Sequence, residues 1–183
     1  MTYSDILDWI KQNLGPYIQK ALAARPGTIY SEEWLAAITC REVGGLIARY
    51  IPQKIDVLVV CSLLRGDFSQ RPGETEKQYH GYGPTQFDIS SFPEFIKSGD
   101  WKDPLKCYIL TIDQLEAKRL YLLAKAPDLD PSLLNKYITA AWNCGQGNEV
   151  KVIDNSLDPD AYDTGHNYAA QVFQFADQYN SIS

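Results

Sequence analysis

The strongest helical pattern in the chain is the stretch SEEWLAAITCREVGGLIARY at residues 31–50. Ser31 is a residue type preferred at helix N-caps, and the charges of Glu32 and Glu33 are favourable in the first turn of a helix. Apolar residues then recur at the three- and four-residue spacing of one helical face, and Pro52 prevents the helix from continuing. The sequence therefore predicts a long helix here, and the other helical patterns of the chain are shorter.

One carboxylate interrupts the apolar face of this helix. Glu42 follows Ile38 by four residues and so falls among the apolar side chains. A carboxylate at a core-facing position is costly unless it is paired or protonated, and burial raises its pKa towards the range in which it serves as a general acid. The alternative is a structural ion pair with Arg41, Arg49 or another cation. The apolar positions are Trp34, Leu35, Ile38, Gly45 and Leu46.

Two glycines follow that carboxylate inside the helix. Gly44 and Gly45 lower the stability of a helix, because glycine loses more backbone freedom on folding than other residues do. Their presence is explained if a ligand must approach this surface of the helix closely. We therefore expect the helix surface around Glu42 to border a binding site.

Helical patterns also occupy most of the remaining chain. Helices are predicted at residues 4–13 (with Ser4 as cap), 17–24, 92–98, 111–126, 131–143 and 166–180. The β-branched run at 55–61 favours a short strand, and residues 62–90 are predicted to be loop with a small hairpin. The expected fold class is mostly α (α+β). Because no repeat or linker divides the chain, residues 1–183 are expected to form one domain, in which helices of residues 1–30 pack on a core at residues 31–180.

Charge and composition argue against some classes of partner. The formal net charge of −6 argues against nucleic acid, because phosphate binding requires a basic surface. No apolar run is long enough to span a membrane, and the N-terminal stretch is acidic where a secretory signal would be positive. Buried thiols are favoured over two disulfides, for which three connectivities stay open. The four cysteines are Cys40, Cys61, Cys107 and Cys144.

A shaped turn precedes two polar residues in the stretch GYGPTQFD, which begins at Gly81. Gly81 and Gly83 permit tight turns and the close approach of a ligand on either side of Tyr82. Gln86 and Asp88 are two residues apart, so their side chains lie on the same side if the segment is extended. Such a pair can bind hydroxyl groups or hold a water molecule. The structural alternative for Asp88 is an N-cap for the helix that follows.

Two later helices each offer a polar group. Asn143 ends a helix in the stretch AAWNCGQGN, where its amide can bond a ligand or simply cap the helix. Tyr168 lies in the first turn of the C-terminal helix, from which its hydroxyl can point into a cleft. His80 and His166 lack the spacing of zinc ligands, and no phosphate-binding loop or serine-nucleophile motif is present, so no metal and no cofactor is expected.

Taken in order, four motifs resemble those of the goose-type lysozyme and soluble lytic transglycosylase superfamily. They are ITCREVGG, GYGPTQFD, AAWNCGQGN and TGHNYAAQVF, within residues 38–173. In that superfamily a helix carries a glutamate, a Gly-aromatic-Gly turn leads into Gln-x-Asp, a helix ends in Ala-Tyr-Asn-Ala-Gly, and a tyrosine lies near the start of a C-terminal helix. The resemblance implies a mostly α, bilobal, lysozyme-like fold with a sugar cleft. It also implies cleavage of the β-1,4 bond between N-acetylmuramic acid and N-acetylglucosamine in peptidoglycan.

The resemblance also implies roles for single residues. Glu42 corresponds to the general acid, and Asp88 corresponds to the goose-type aspartate. The second goose-type carboxylate has no clear counterpart, because Lys77 occupies the nearest place; we expect Asp67 of the longer loop to supply it, with Glu74 and Glu76 as alternatives. The residues implied to bind substrate are Tyr82, Gln86, Trp142, Asn143 and Tyr168. Trp142 departs from the family motif, which has a tyrosine before the asparagine.

The carboxylates separate three functions that the sequence leaves open. An inverting hydrolase needs a base about 6.5–9.5 Å from the acid, and Asp88 favours this reaction. A lytic transglycosylase needs only the glutamate and releases 1,6-anhydro-muramyl products. A catalytically inactive module that binds peptidoglycan or chitin would keep the cleft and lose turnover.

The implied substrate sets the expected partners and the place of action. The partners are peptidoglycan glycan strands, and neither nucleic acid nor a membrane is expected. We expect a monomer that acts at the bacterial cell wall, in the periplasm or outside the cell. Since no signal peptide is visible, export by a dedicated secretion apparatus or release by lysis is expected, and an inhibitor protein is a further candidate partner.

Overall fold

The computed structural model describes residues 1–163 and 165–182. They form a mostly helical domain with a small three-stranded antiparallel sheet, as the sequence predicts. The helices are α1 (Tyr3–Asn13), α2 (Gly15–Ala23), α3 (Glu32–Tyr50), α4 (Val57–Leu63), α5 (Pro93–Lys97), α6 (Pro104–Lys125), α7 (Pro131–Cys144), α8 (Gln146–Asp154) and α9 (Tyr168–Ser181). The strands are β1 (Arg65–Ser69), β2 (Gln78–Tyr82) and β3 (Phe87–Asp88).

Helix α3 lies at the centre of the helical part of the domain. It packs most extensively against α9 and also contacts α1 and α2. Its buried residues include Trp34, whose indole Nε1 donates a hydrogen bond to Thr139 Oγ1 on α7 at 3.0 Å, and Thr39, whose hydroxyl lies 2.9 Å from that of Tyr108 on α6. Because these polar groups are satisfied, they orient the packed helices without the penalty of an unpaired buried group.

The N-terminal helices pack against α3. Leu7 and Ile10 of α1 and Ile18 of α2 are fully buried in the same hydrophobic cluster as α3. The first helix begins slightly before the predicted boundary. Its cap is Thr2 rather than Ser4, because Thr2 and Asp5 form a reciprocal capping box.

The prediction of a strand at 55–61 is wrong, because residues 57–63 form α4. Asp56 accepts a hydrogen bond from the Leu58 N–H, which caps the helix and outweighs the β propensity of the valines. Helix α6 begins earlier than predicted, since Asp103 caps it and a proline occupies its first position. Helix α8, which the sequence did not predict, follows α7 directly at Gly145.

The small sheet is built from the segment predicted to be loop and hairpin. β1 pairs antiparallel with β2, so that Gly66 lies opposite Gly81, and β2 pairs antiparallel with β3, so that Gly81 lies opposite Asp88. The register places the GYGPTQFD turn between β2 and β3. It thereby brings Gln86 and Asp88 to the edge of the helical core.

The buried apolar residues form two hydrophobic clusters. The larger one is formed by the helices around α3. The smaller one lies beneath the sheet and consists of Phe87, Ile96, Trp101 and Cys107. Trp142 packs against both clusters, so it marks the boundary at which they meet.

The four cysteines are free thiols, three of them buried and Cys144 partly exposed. Among the described residues, no helix has the length and apolar character needed to cross a membrane. The core therefore holds together without disulfide cross-links in this structure.

The two glycines of α3 differ in their surroundings, since Gly44 packs against α1 and Gly45 borders open space. Gly44 is buried, and a Cβ there would meet Ile6 of α1 and Cys40 at ordinary contact distances. Gly45 is exposed, and a Cβ there would have nothing within 4 Å. Gly44 thus permits α1 to pack closely on α3, and Gly45 has no neighbour that requires a glycine.

We therefore expect Gly45→Ala to stabilise the protein. Alanine is the better helix former by about 0.8–1.0 kcal/mol, and the added methyl group meets open space. Chemical denaturation should show a higher free energy of unfolding for this variant. The matched change Gly44→Leu should lower it, because the larger side chain must enter the contact between α1 and α3. A loss of stability in Gly45→Ala would show that this position has a neighbour or strain that the structure does not contain.

Candidate functional site

Glu42 lies on α3, partly buried, on the wall of a cleft between the two hydrophobic clusters. Its Oε1 accepts a hydrogen bond of 2.5 Å from the Tyr168 hydroxyl of α9. Burial raises the pKa of Glu42 to about 7, against the opposing effects of that hydrogen bond, the charge of Arg41 and a hydrogen bond from Trp142. Glu42 is therefore a carboxyl group that can hold or release a proton near neutral pH.

The position of Tyr168 is fixed by two aspartates at the start of α9. Asp163 accepts hydrogen bonds from the backbone N–H groups of Asn167 and Tyr168, at 3.1 and 2.8 Å. Asp160 accepts from Ala169 and the next residue, at 2.6 and 3.0 Å. Carboxylates at a helix N-terminus satisfy its free donors and interact favourably with its dipole. Tyr168 is almost fully buried, and its hydroxyl donates its hydrogen bond to Glu42.

Arg41 lies beside the same pair. Its guanidinium carbon is 5.2 Å from the centre of the Tyr168 ring, a cation–π arrangement. Its Nε is buried and has no hydrogen-bond partner among the described residues. The ion pair between Arg41 and Glu42 that the sequence offers as an alternative is not formed. Arg41 acts on Glu42 only by its charge, which favours the ionised carboxylate.

Asp88 faces the cleft from β3, and both of its oxygens are engaged. Oδ2 forms a salt bridge of 2.6 Å with Arg71, and Oδ1 accepts from the backbone N–H and the hydroxyl of Ser90, at 2.8 and 2.5 Å. Burial alone would raise the pKa of Asp88, but these hydrogen bonds and the Arg71 charge outweigh it and lower the pKa. Asp88 is consequently an ionised carboxylate in the cleft that Glu42 also lines.

Asp67 does not reach the cleft. It lies on β1, half exposed, and forms a 2.7 Å salt bridge with Arg71, which thereby joins Asp67 to Asp88. The alternative Glu74 is bonded to His80, whose two ring nitrogens face the Glu74 carboxylate at 2.8 Å and the Asp67 carbonyl at 2.9 Å. Because both partners are acceptors, both ring nitrogens must donate, and the hydrogen bond to Glu74 raises the pKa of His80 accordingly. These residues brace the loop between β1 and β2.

The glycines of the GYGPTQFD turn are covered by the protein itself, which corrects the expectation that a glycan lies against them. A Cβ at Gly66 or Gly81 would overlap Oε1 of Gln86, and one at Gly83 would lie 2.9 Å from the carbonyl oxygen of Trp101. Gln86 has a left-handed backbone and donates from Nε2 to the Gly83 carbonyl at 2.8 Å. The Gln86 amide thus lies over Gly66 and Gly81 of the sheet, and Gln86 also lines the cleft.

The cleft has a volume of about 440 Å³ and brings together most of the predicted site residues. Its lining includes Glu42, Gln86, Asp88, Trp142 and Asn143. Tyr168 does not line the cleft and is connected to it by its hydrogen bond to Glu42. Tyr82 does not line it and instead packs against Trp101 with ring centres 5.1 Å apart.

Sequence reasoning missed several polar residues of the cleft, among them Gln114 and Lys118. Both lie on α6, four residues apart, which places them on one helical face. That spacing is the signal in the sequence, but it is shared by many exposed helices. Arg71 was also missed, because its role depends on how the loop between β1 and β2 folds.

A buried carboxyl group lies behind the cleft. Glu149 of α8 is fully buried; its Oε2 accepts from the thiol of Cys144 at 3.2 Å, and its Oε1 has no partner among the described residues. Burial, reinforced by the charges of nearby aspartates, raises the pKa of Glu149 to about 8. In the same way burial and Asp160 raise the pKa of Asp163 to about 6. The described residues contain no group of ligands that could hold a metal ion.

The largest cavity lies elsewhere. It has a volume of about 1060 Å³, is lined by parts of α6, α7, α8 and α9, and includes none of the predicted site residues. Its carboxylates include Asp130 and Asp158, which cap local helices. We place the candidate site in the smaller cleft, because its lining brings together Glu42, Asp88 and Asn143.

Comparisons of the chain with protein-family models, with curated proteins and with solved structures give no match. The function must therefore be argued from the geometry of the cleft.

The protonated carboxyl groups make the fold most stable in mildly acidic solution. The pKa values of Glu42, Glu149 and Asp163 are about 7, 8 and 6, well above those of an unfolded chain. The folded state therefore binds more protons than the unfolded state as pH rises from about 4.5 to 8, and the free energy of unfolding must fall over this range. At lower pH the lowered pKa values of Glu74 and Asp88 reverse the sign.

We expect unfolding experiments to show a maximum of stability near pH 5 and a loss towards pH 8. Each proton involved contributes up to about 1.4 kcal/mol per pH unit. The matched variant Glu149→Gln cannot ionise, so its loss between pH 5 and 8 should be smaller. A wild-type protein that is equally stable at both pH values would contradict the raised pKa values.

Proposed function

We propose that this chain is a peptidoglycan-cleaving muramidase with a goose-type, lysozyme-like fold. It hydrolyses the β-1,4 bond between N-acetylmuramic acid and N-acetylglucosamine, and Glu42 is its general acid. The observation that carries the proposal is a carboxyl group with a pKa of about 7, held by Tyr168 on the wall of a polar cleft. The order of the four sequence motifs supports the same conclusion. The division of the core into two hydrophobic clusters supports it as well.

The hydrogen bond from Tyr168 determines which oxygen of Glu42 gives up the proton. Oε1 accepts from the tyrosine hydroxyl, so the transferable proton is on Oε2. When Oε2 protonates the glycosidic oxygen, the C1–O bond breaks and Glu42 becomes a carboxylate. Tyr168 and the charge of Arg41 then stabilise that carboxylate, since both lower the pKa of Glu42.

Asp88 is the candidate base for hydrolysis. Its lowered pKa keeps it ionised in the mildly acidic range, where Glu42 is still protonated. Each carboxylate oxygen has more than one acceptor site, so Asp88 can accept a hydrogen bond from a water molecule besides those from Arg71 and Ser90. The water then attacks C1 and transfers its proton to Asp88.

One observation favours the second candidate reaction, lytic transglycosylation. Asp88 is held by Arg71 and Ser90, and Asp67 lies outside the cleft, which leaves Glu42 as the carboxyl group without an arginine salt bridge. In that reaction Glu42 first protonates the leaving oxygen. It then accepts the proton of the muramyl C6 hydroxyl, whose oxygen attacks C1 and closes a 1,6-anhydro ring.

Mass spectrometry of the soluble fragments released from purified peptidoglycan tests the proposal and separates the two reactions. We expect muropeptides with reducing muramyl ends from the wild-type protein and none from Glu42→Gln. The matched control is Glu33→Gln on the same helix, which should leave the products unchanged. Fragments with anhydro-muramyl ends would show that the reaction is transglycosylation and not hydrolysis. A protein that is retained on insoluble peptidoglycan but releases no fragments would be a binding module.

The pH profile of cleavage gives a second test, which is specific to Tyr168. Activity should fall as pH rises through about 7, because Glu42 loses the proton that it must donate. Tyr168→Phe removes a hydrogen bond that favours the carboxylate, so this fall should shift to higher pH while the maximal rate drops by about tenfold or more. An unshifted profile would mean that the titrating group is not Glu42.

A further inference from the structure

Lys118 is a cation in the cleft that has no carboxylate partner among the described residues. It extends from α6, is partly buried, and lines the cleft beside Gln114, Cys144 and Asn143. Within residues 1–163 and 165–182 it forms no salt bridge or side-chain hydrogen bond, and its resolved electrostatic neighbour is the Cys144 thiol. The lysine is the one positively charged side chain among the described residues that line this cleft.

An unpaired ammonium group in such a place is unfavourable for the empty protein. Burial lowers the pKa of Lys118, which means that desolvation disfavours the charged form. Neither carboxylate of the cleft relieves this, because Glu42 is bonded to Tyr168 and Asp88 is paired with Arg71.

We propose that Lys118 binds a carboxylate of the substrate, so that the cleft selects an acidic β-1,4-linked amino-sugar strand over a neutral one. The inference rests on the proposed function and specifies its substrate. On a muramyl strand the carboxylate belongs either to the lactyl ether on the sugar ring or to the peptide attached to that ether. A strand of N-acetylglucosamine alone has no such group.

The surroundings of Lys118 suit an anion of this kind. Gln114 is one helical turn away on the same face, and its amide offers N–H donors to an oxygen that the ammonium group leaves free. Asp88 would repel a carboxylate, but Arg71 neutralises it at 2.6 Å. Glu42 is protonated below its pKa of about 7, so it adds no negative charge at mildly acidic pH.

Calorimetric binding to the Glu42→Gln protein tests the inference without turnover. The probes are a tetrasaccharide of alternating N-acetylglucosamine and N-acetylmuramic acid without peptide, the same tetrasaccharide with peptides attached, and the neutral tetramer of N-acetylglucosamine. Adding Lys118→Met should weaken binding of an acidic probe by about ten- to a hundredfold, the range of a charge-assisted hydrogen bond. Binding of the neutral probe should not change. Loss confined to the peptide-free probe assigns the lactyl carboxylate, and loss confined to the peptide-bearing probe assigns the peptide.

Two companion variants separate electrostatic binding from structural damage. Lys118→Arg keeps the charge and should retain part of the discrimination between acidic and neutral probes. Lys125→Met removes an exposed lysine from the same helix, outside the cleft lining, and should change neither affinity. The melting temperature of Lys118→Met should equal or exceed that of its parent, because an unpaired partly buried charge is removed.

Failure of this inference can be told from failure of the proposed function. If all three probes bind but Lys118→Met weakens them equally or not at all, Lys118 does not select an acidic strand, while the muramidase proposal stands. If the Glu42→Gln protein binds none of the probes and the wild-type protein releases no fragments, both proposals are overturned.

Discussion

The hydrogen bond between Glu42 and Tyr168 is the contact on which the arrangement of the helices depends. It joins α3 and α9, the pair of helices with the most extensive packing in the domain, at a point where a carboxyl group enters an apolar core. Without a donor there, the carboxyl group would be buried with one fewer partner. A second hydrogen bond between the same helices, from the Tyr179 hydroxyl to Glu32, helps to fix their relative rotation. The feature that makes Glu42 chemically useful is therefore also one that aligns the core.

That contact depends in turn on the segment before α9. Asp160 and Asp163 bind the first N–H groups of the helix, so they set the residue at which the helix begins and thus the place of Tyr168. On the opposite wall, Arg71 performs a comparable task for Asp88 by linking it to the loop between β1 and β2. The pKa values of the two carboxyl groups move in opposite directions, because burial outweighs the hydrogen bonds at Glu42, whereas Ser90 and Arg71 outweigh burial at Asp88.

The helical architecture was predictable because local hydrophobic periodicity and capping residues indicate it. Glu42 could be found since a charge within an apolar face violates the pattern, and Asn143 and Trp142 could be found beside a helix-ending glycine. Residues 57–63 were misassigned because valine favours strands, while the capping effect of Asp56 is short-range and easily overlooked. Lys118 and Arg71 could not be identified, since their roles depend on which distant residues they contact in the folded chain. The wrong expectation for Asp67 has the same origin: sequence alone did not show that its loop turns away from the cleft.

Gln86 and the two glycines that it covers have a consequence for the evolution of this protein. Because a methyl group at position 66 or 81 would occupy the space of the Gln86 amide, neither glycine can change while that glutamine keeps its conformation. The three positions, although distant in sequence, are therefore expected to change together during evolution. Among descendants of a common ancestor, a side chain at position 66 or 81 should accompany a smaller residue at position 86, and the cleft wall formed by that residue should differ with it.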